Sequence, residues 1–188
     1  MSLDRPRVGV LGSARIEPPD PRHASAVEVG RVLGAAGFEV VTGGYGGLMG
    51  AVSEGAADAG ARVVGLPMRA WPELTVNRWV TDAIEADDFF ERLRELSRCD
   101  ALVALDGGVG TLAEVSVAWA NLQTDADVTP QLILVGAMWA DLLPILREAL
   151  VVDDRDIGLL RLVAEPSGLV EAVRNALAER RRGGQPRG

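Results

Sequence analysis

The chain contains no lysine; its basic residues are all arginine. Pyridoxal-phosphate enzymes hold their cofactor as a lysine Schiff base, so that chemistry is excluded, and Schiff-base aldolases fall with it. The Walker A loop sets a lysine on the phosphates, so P-loop NTPases are excluded too. There is one cysteine, Cys99, and one histidine, His23. No disulfide can form within the chain and no Cys/His cage can be built, so neither a metal nor a cofactor is expected. No apolar run reaches the ~18–20 residues of a membrane helix. The N-terminus, Met1 to Pro6, is polar and leads straight into a strand-like run. A soluble, cytoplasmic protein with no membrane partner is the expectation. With 27 acidic against 19 basic residues the formal net charge is −8, which repels polyphosphate, so nucleic acid is not an expected partner.

What is present is ordinary globular composition: 48% apolar and 24% charged residues over 188 positions, enough chain for one domain with its own core. Short apolar runs alternate with longer amphipathic segments. Strands are expected at 8–11, 38–41, 62–66, 101–105 and 131–135. Helices are expected at 20–36, 47–59, 87–98, 111–123, 139–150 and 167–182. The strands are apolar on both faces, as in a parallel sheet covered by helices on each side. The expected fold is therefore an α/β three-layer sandwich, Rossmann-like, in one domain over residues 1–182 with a flexible tail at 183–188. Residues 68–88 break the rhythm and read as a loop with one short strand, Trp79-Val80-Thr81. Connections of that length are uncommon and often functional.

Two segments echo each other. Val41-Thr42-Gly43-Gly44-Tyr45-Gly46-Gly47-Leu48 and Leu105-Asp106-Gly107-Gly108-Val109-Gly110-Thr111-Leu112 each run from strand through Gly-Gly-x-Gly into a helix. Glycine lets the backbone approach a neighbour closely, and the helix start offers unpaired N–H groups and a positive dipole end. Such a corner is an anion site, although a single one is as often plain tight packing. Two at the C-terminal ends of strands of one sheet would share the crevice where α/β proteins bind ligands. Gly108-x-Gly110-x-x-Ala113 only loosely matches a dinucleotide fingerprint: it is late in the chain and no acidic residue ends the next strand. A phosphate-bearing small molecule between the two loops is the expectation. The Thr111 hydroxyl would face a phosphate oxygen. Glu114, one turn deeper on the same helix face, would reach a ribose, or serve only as a first-turn acid.

Gly107-Gly108-Val109-Gly110-Thr111-Leu112-Ala113-Glu114 resembles the PGGxGTxxE motif of the LOG family, the cytokinin riboside 5′-monophosphate phosphoribohydrolases. Gly43-Gly44-Tyr45-Gly46-Gly47-Leu48-Met49-Gly50 resembles that family's upstream GGG…GLMG segment, and Val10-Leu11-Gly12-Ser13 its first-strand turn. Order and spacing agree from about residue 7 to 175. The resemblance implies a Rossmann-like fold and hydrolysis of the N-glycosidic bond of a purine nucleoside 5′-monophosphate such as AMP, typically N6-substituted, to free base and ribose 5-phosphate. It implies binding by Gly12, Ser13, Gly43, Gly44, Gly107, Gly108, Gly110 and Thr111. Glu114 would hold ribose hydroxyls or help activate water, and an arginine of the preceding helix, Arg92 or Arg94, would stabilise the transition state. A homodimer with sites near its interface is implied as well. Many members carry the name lysine decarboxylase; without a Schiff-base lysine that activity is not expected here. The sequence departs from the pattern at Asp106, where the family has Pro, at the arginine, where Arg92 needs a one-residue shift, and at Ala14 after Ser13. A binding protein that holds a nucleotide without cleaving it is the alternative. His23 reads as exposed or capping and Cys99 as a buried small hydrophobe. Trp71, Trp79 and Trp119 read as packing residues that could also line a base pocket.

Overall fold

A computed structural model describes residues 5–124 and 129–183. Seven strands form one sheet in the order β4-β3-β2-β1-β5-β6-β7, and every pairing is parallel. The strands are β1 Arg7–Leu11, β2 Glu39–Thr42, β3 Val63–Gly65, β4 Asp82–Ala83, β5 Ala101–Ala104, β6 Gln131–Val135 and β7 Leu160–Val163. The helices are α1 Pro21–Ala35, α2 Gly47–Asp58, α3 Phe89–Leu96, α4 Val109–Thr124, α5 Ala137–Ala149, α6 Asp154–Gly158 and α7 Leu169–Gly183. Of the expected tail, Gly183 closes α7 and residues 184–188 lie outside the described residues. The described helices include none long and apolar enough to cross a membrane.

The layers follow from the apolar runs. The inner strands are buried along nearly their whole length, so each needs a helix on both faces. One core joins the sheet to α1, α2 and α7 through Val29, Leu33, Val52, Ala56 and Val173. The other joins it to α3, α4 and α5 through Leu96, Val115, Trp119, Leu122 and Trp139. Trp119 donates from its indole N–H to Asp156 O, and Cys99 is fully buried with its thiol pushed up to about 12 by that burial.

Three elements differ from the sequence expectation. The short strand in the long loop is at Asp82–Ala83, not at residues 79–81. Thr81 instead accepts from the Val63 N–H with its hydroxyl and turns the chain into β4. An edge strand, β7, and a one-turn helix, α6, fill the stretch between α5 and α7.

The order of strands positions the site. From β1 the chain moves outward through β2 and β3 to β4, then returns to lay β5 on the other side of β1. The connections leaving β1 and β5 therefore diverge, and a crevice opens at their C-terminal ends, where Leu11 pairs with Ala104.

Candidate functional site

Three connections meet at that crevice. The turn after β1 is stitched to the turn after β5, with Ser13 N–H donating to Asp106 O at 3.0 Å, and to α2, whose Leu48 N–H donates to Ser13 O at 2.9 Å. Trp139 holds the base of the second turn by donating to Leu105 O at 3.1 Å. Between these connections lies a cleft of about 360 Å³, walled by Gly12, Ser13, Gly108, Gly110 and Thr111 on one side and Tyr45, Trp71, Leu74 and Phe89 on the other.

Arg92 and Glu114 form the floor. Glu114 projects from the second turn of α4 and Arg92 from α3; each is only 6% exposed, and Arg92 Nη2 lies 3.2 Å from Glu114 Oε1. Burial raises the Glu114 pKa, and the charge and hydrogen bond of Arg92 pull against that rise. Arg92 Nε is buried with no hydrogen-bond partner, an unusual condition for a guanidinium. Gly43 makes the pairing possible: a Cβ there would stand 2.5 Å from Arg92 Nη2. Arg94, the other candidate, sits exposed in the last turn of α3, so the structure brings Arg92 and not Arg94 to the glutamate.

The two glycine-rich turns are unequal. At the second, α4 begins at Val109, two residues before the expected start, and the first helical bond runs from Leu112 N–H to Gly108 O. Gly108, Val109 and Gly110 are exposed, so the open end of the helix dipole faces the cleft. Thr111 is buried beneath it; Gly107 must be glycine because a Cβ would come within 2.2 Å of Thr111 Oγ1. At the first turn the leading N–H groups of α2 are already taken: Gly47 donates to Glu17 Oε1 at 2.8 Å and Leu48 to Ser13 O. An internal carboxylate thus occupies the anion position expected there. Gly44, at φ +81°, packs against Gly65. Gly43 and Gly44 are both buried, behind the cleft wall.

Asp106 turns away from the second turn. Its carboxylate lies 3.5 Å from Arg22 Nη1 and 3.2 Å from the position of a Cβ on Gly136, in a separate recess beside α1. The acid that replaces proline therefore sits off the anion site. Tyr45, Asn77 and Glu17 were not singled out by sequence reasoning. The one available signal was that Tyr45 is the chain's sole tyrosine and stands inside a glycine-rich turn. A larger recess of about 770 Å³ lies at the opposite end of the sheet, by the starts of β1, β2 and β5. Four of its arginines are engaged in ion pairs, Arg7 and Arg62 on Glu39, Arg98 on Glu95 and Arg180 on Asp100. The described residues hold no group of acidic, His and Cys side chains fit for a metal.

Comparison with known proteins places this geometry. The model of the SLOG cluster4 family matches residues 5–124. A probable cytokinin riboside 5′-monophosphate phosphoribohydrolase of rice, Oryza sativa subsp. japonica, is 40% identical over 103 residues, 52% of this chain and 45% of the rice protein. The chain thus matches less than half the length of that relative. The molybdenum cofactor binding protein of Rippkaea orientalis has the same fold, with a TM-score of 0.74 over 93% of this chain and 98% of that one at 21% identity. The molybdenum cofactor carrier protein of Chlamydomonas reinhardtii matches over 93% of this chain and 99% of its own, with a TM-score of 0.72 and 25% identity.

Proposed function

The chain belongs to the SLOG cluster4 family, and from that premise we propose that it hydrolyses the N-glycosidic bond of a purine nucleoside 5′-monophosphate. The observation that carries the reading is the buried Arg92–Glu114 pair one turn below the open start of α4. The spacing suits a phosphorylated ribose. Its phosphate meets the first N–H groups of α4 and the Thr111 hydroxyl, where the helix dipole favours an anion. Its sugar then lies over Glu114. Breaking the bond between C1′ and the base nitrogen leaves positive charge on the ribose ring, which a fixed carboxylate stabilises. Water adds its hydroxyl to C1′ and its proton goes to the departing base, giving free base and ribose 5-phosphate. Arg92 holds Glu114 in place through Nη2, and its guanidinium, which lines the cleft, adds a fixed positive charge beside the reacting sugar. Thr111→Ala should weaken phosphate ligands by ~1.5–3 kcal/mol, as for hydrogen bonds to charged groups; an unchanged dissociation constant places the phosphate elsewhere.

The second reading is a binding protein of the same fold, favoured by the full-length structural match to a carrier protein. One experiment separates the two. The protein is incubated with AMP and with N6-isopentenyl-AMP, and ribose 5-phosphate release is followed. For the enzyme, release is seen with at least one nucleotide, and Glu114→Gln lowers it by more than about 100-fold, the scale of a lost acid–base or charge-stabilising group, while binding persists. Saturable binding of both nucleotides with no release establishes the binding protein.

A further inference from the structure

The first glycine-rich turn has its own task to explain. Its helix start is filled by Glu17 and Ser13, yet the Tyr45 hydroxyl and the Gly44 and Tyr45 carbonyls bond residues of the 68–77 segment. Tyr45 Oη accepts from Met68 N–H at 2.7 Å. Gly44 O accepts from the Asn77 backbone N–H at 2.7 Å and from Asn77 Nδ2 at 3.0 Å. Tyr45 O accepts from Asn77 Nδ2, also at 3.0 Å. The segment is thus pinned at both ends to one turn. Between the pins residues 69–75 are exposed, and two of them are large and apolar: Trp71 at 39% and Leu74 at 44%. Both line the cleft. The Trp71 ring is backed by Tyr45, centroids 6.0 Å apart and tilted by 54°. Two turn bonds, Trp71 N–H to Met68 O and Leu74 N–H to Trp71 O, both at 3.0 Å, hold the excursion in shape. An indole propped from behind and left open toward a cleft is a stacking platform for a flat ring.

We propose that residues 68–77 are the base-recognition element of the cleft: Trp71 and Leu74 receive the heteroaromatic base of the ligand, and the first glycine-rich turn, through Tyr45 and Asn77, holds them in position. The second turn alone then takes the phosphate. This rests on the reading that the cleft binds a nucleotide, and assigns within it which residues read the base. Asn77 is a positioning residue, since it bonds Gly44 and Tyr45 and does not line the cleft.

The test measures binding of ribose 5-phosphate, AMP and N6-isopentenyl-AMP by calorimetry to the wild type, Trp71→Ala, Trp71→Phe and Asn77→Ala, each checked for an unchanged circular dichroism spectrum. Trp71→Ala should weaken both nucleotides by about tenfold or more, the scale of a lost base–aromatic stack, while ribose 5-phosphate stays within about twofold. Trp71→Phe keeps a ring and should restore most of the affinity. Asn77→Ala should show the same split between nucleotides and ribose 5-phosphate; a merely structural asparagine would weaken all three ligands alike. Equal losses for all ligands, or no loss for any, overturn the assignment, as does a wild type that binds AMP no more tightly than ribose 5-phosphate. A wild type that binds none of the three removes the nucleotide reading itself, and this inference with it.

Discussion

At the scale of single residues, Glu114 is where chemistry and stability meet. Burial raises its pKa above the ordinary glutamate value of 4.5, and Arg92 opposes the rise. The proposed role needs the ionised form, so turnover should fall as pH drops through the folded-state pKa, with an acid limb above the usual glutamate range. Arg92→Gln removes both influences that lower this pKa and should move the limb to higher pH; a kcat/KM profile against pH reads the shift, and an unmoved limb means that another group titrates. The same shift has a stability sign. A raised folded-state pKa means that the native state holds the proton more tightly than the unfolded chain. Stability contributed by this group is present below the unfolded value and lost as pH rises through the folded one. Glu114→Gln should flatten that decline in melting temperature. Glu114 and Thr111 were legible in the sequence because three residues on a helix fix a shared face. The choice of Arg92 over Arg94 was not, because it depends on which side of α3 meets Gly43, a contact across the sheet. The pins from Asn77 to Tyr45 span 32 positions of sequence and leave no local pattern to read.

At the scale of elements, the pairing of α1 with α2 sets where the first glycine-rich turn stands. The two helices touch backbone to backbone: a Cβ on Gly55 would lie 1.9 Å from Val27 O, and one on Gly30 would lie 2.0 Å from Val52 O. Neither obstacle is a flexible side-chain end, so the helices have to separate. Gly55→Ala should cost ~1–3 kcal/mol or more, read as a lower urea midpoint. Gly110→Ala, where a Cβ meets nothing within 4 Å, should stay within about 0.5 kcal/mol of the wild type. Equal midpoints for the two variants would refute the close packing. The buried strands and their helices were readable from apolar runs, since double burial leaves no polar alternation. β7 was not, because it is a four-residue edge strand in which only Leu160 is buried and Leu162 is left exposed. α6 is a single turn defined by a capping box between Asp153 and Asp156, too short to show a helical period.

At the scale of the whole molecule, one group of exposed apolar side chains lies on the two helices beside the cleft, apart from another at the end of α5 (Ile145, Leu150 and Val151). Phe90 on α3 is 70% exposed and Val109 on α4 is 85% exposed, and Leu112 and Val117 follow along α4. These are the helices that carry Arg92 and Glu114, and solvent-facing apolar side chains grouped around a site mark an interaction surface. The family resemblance implies a homodimer with its sites near the interface, and we propose that a second copy covers this face. Charge gives the proposal a distinctive signature. Each chain carries a formal −8, so two copies repel, and the repulsion is screened over ~8 Å at physiological ionic strength but over ~30 Å at 0.01 M. Apolar burial lacks that dependence, so the dimer should tighten as salt rises, the reverse of an assembly held by opposite charges. Sedimentation velocity at about 0.01 M and 0.15 M salt should show the monomer fraction falling at the higher concentration. Val109→Asp, at a position already open to solvent, should restore monomers in both without lowering the melting temperature. A wild type that stays monomeric at both salt concentrations up to about 100 μM, a dissociation constant weaker than which spans little of a stable interface, would leave α3 and α4 facing water and the cleft complete within one chain.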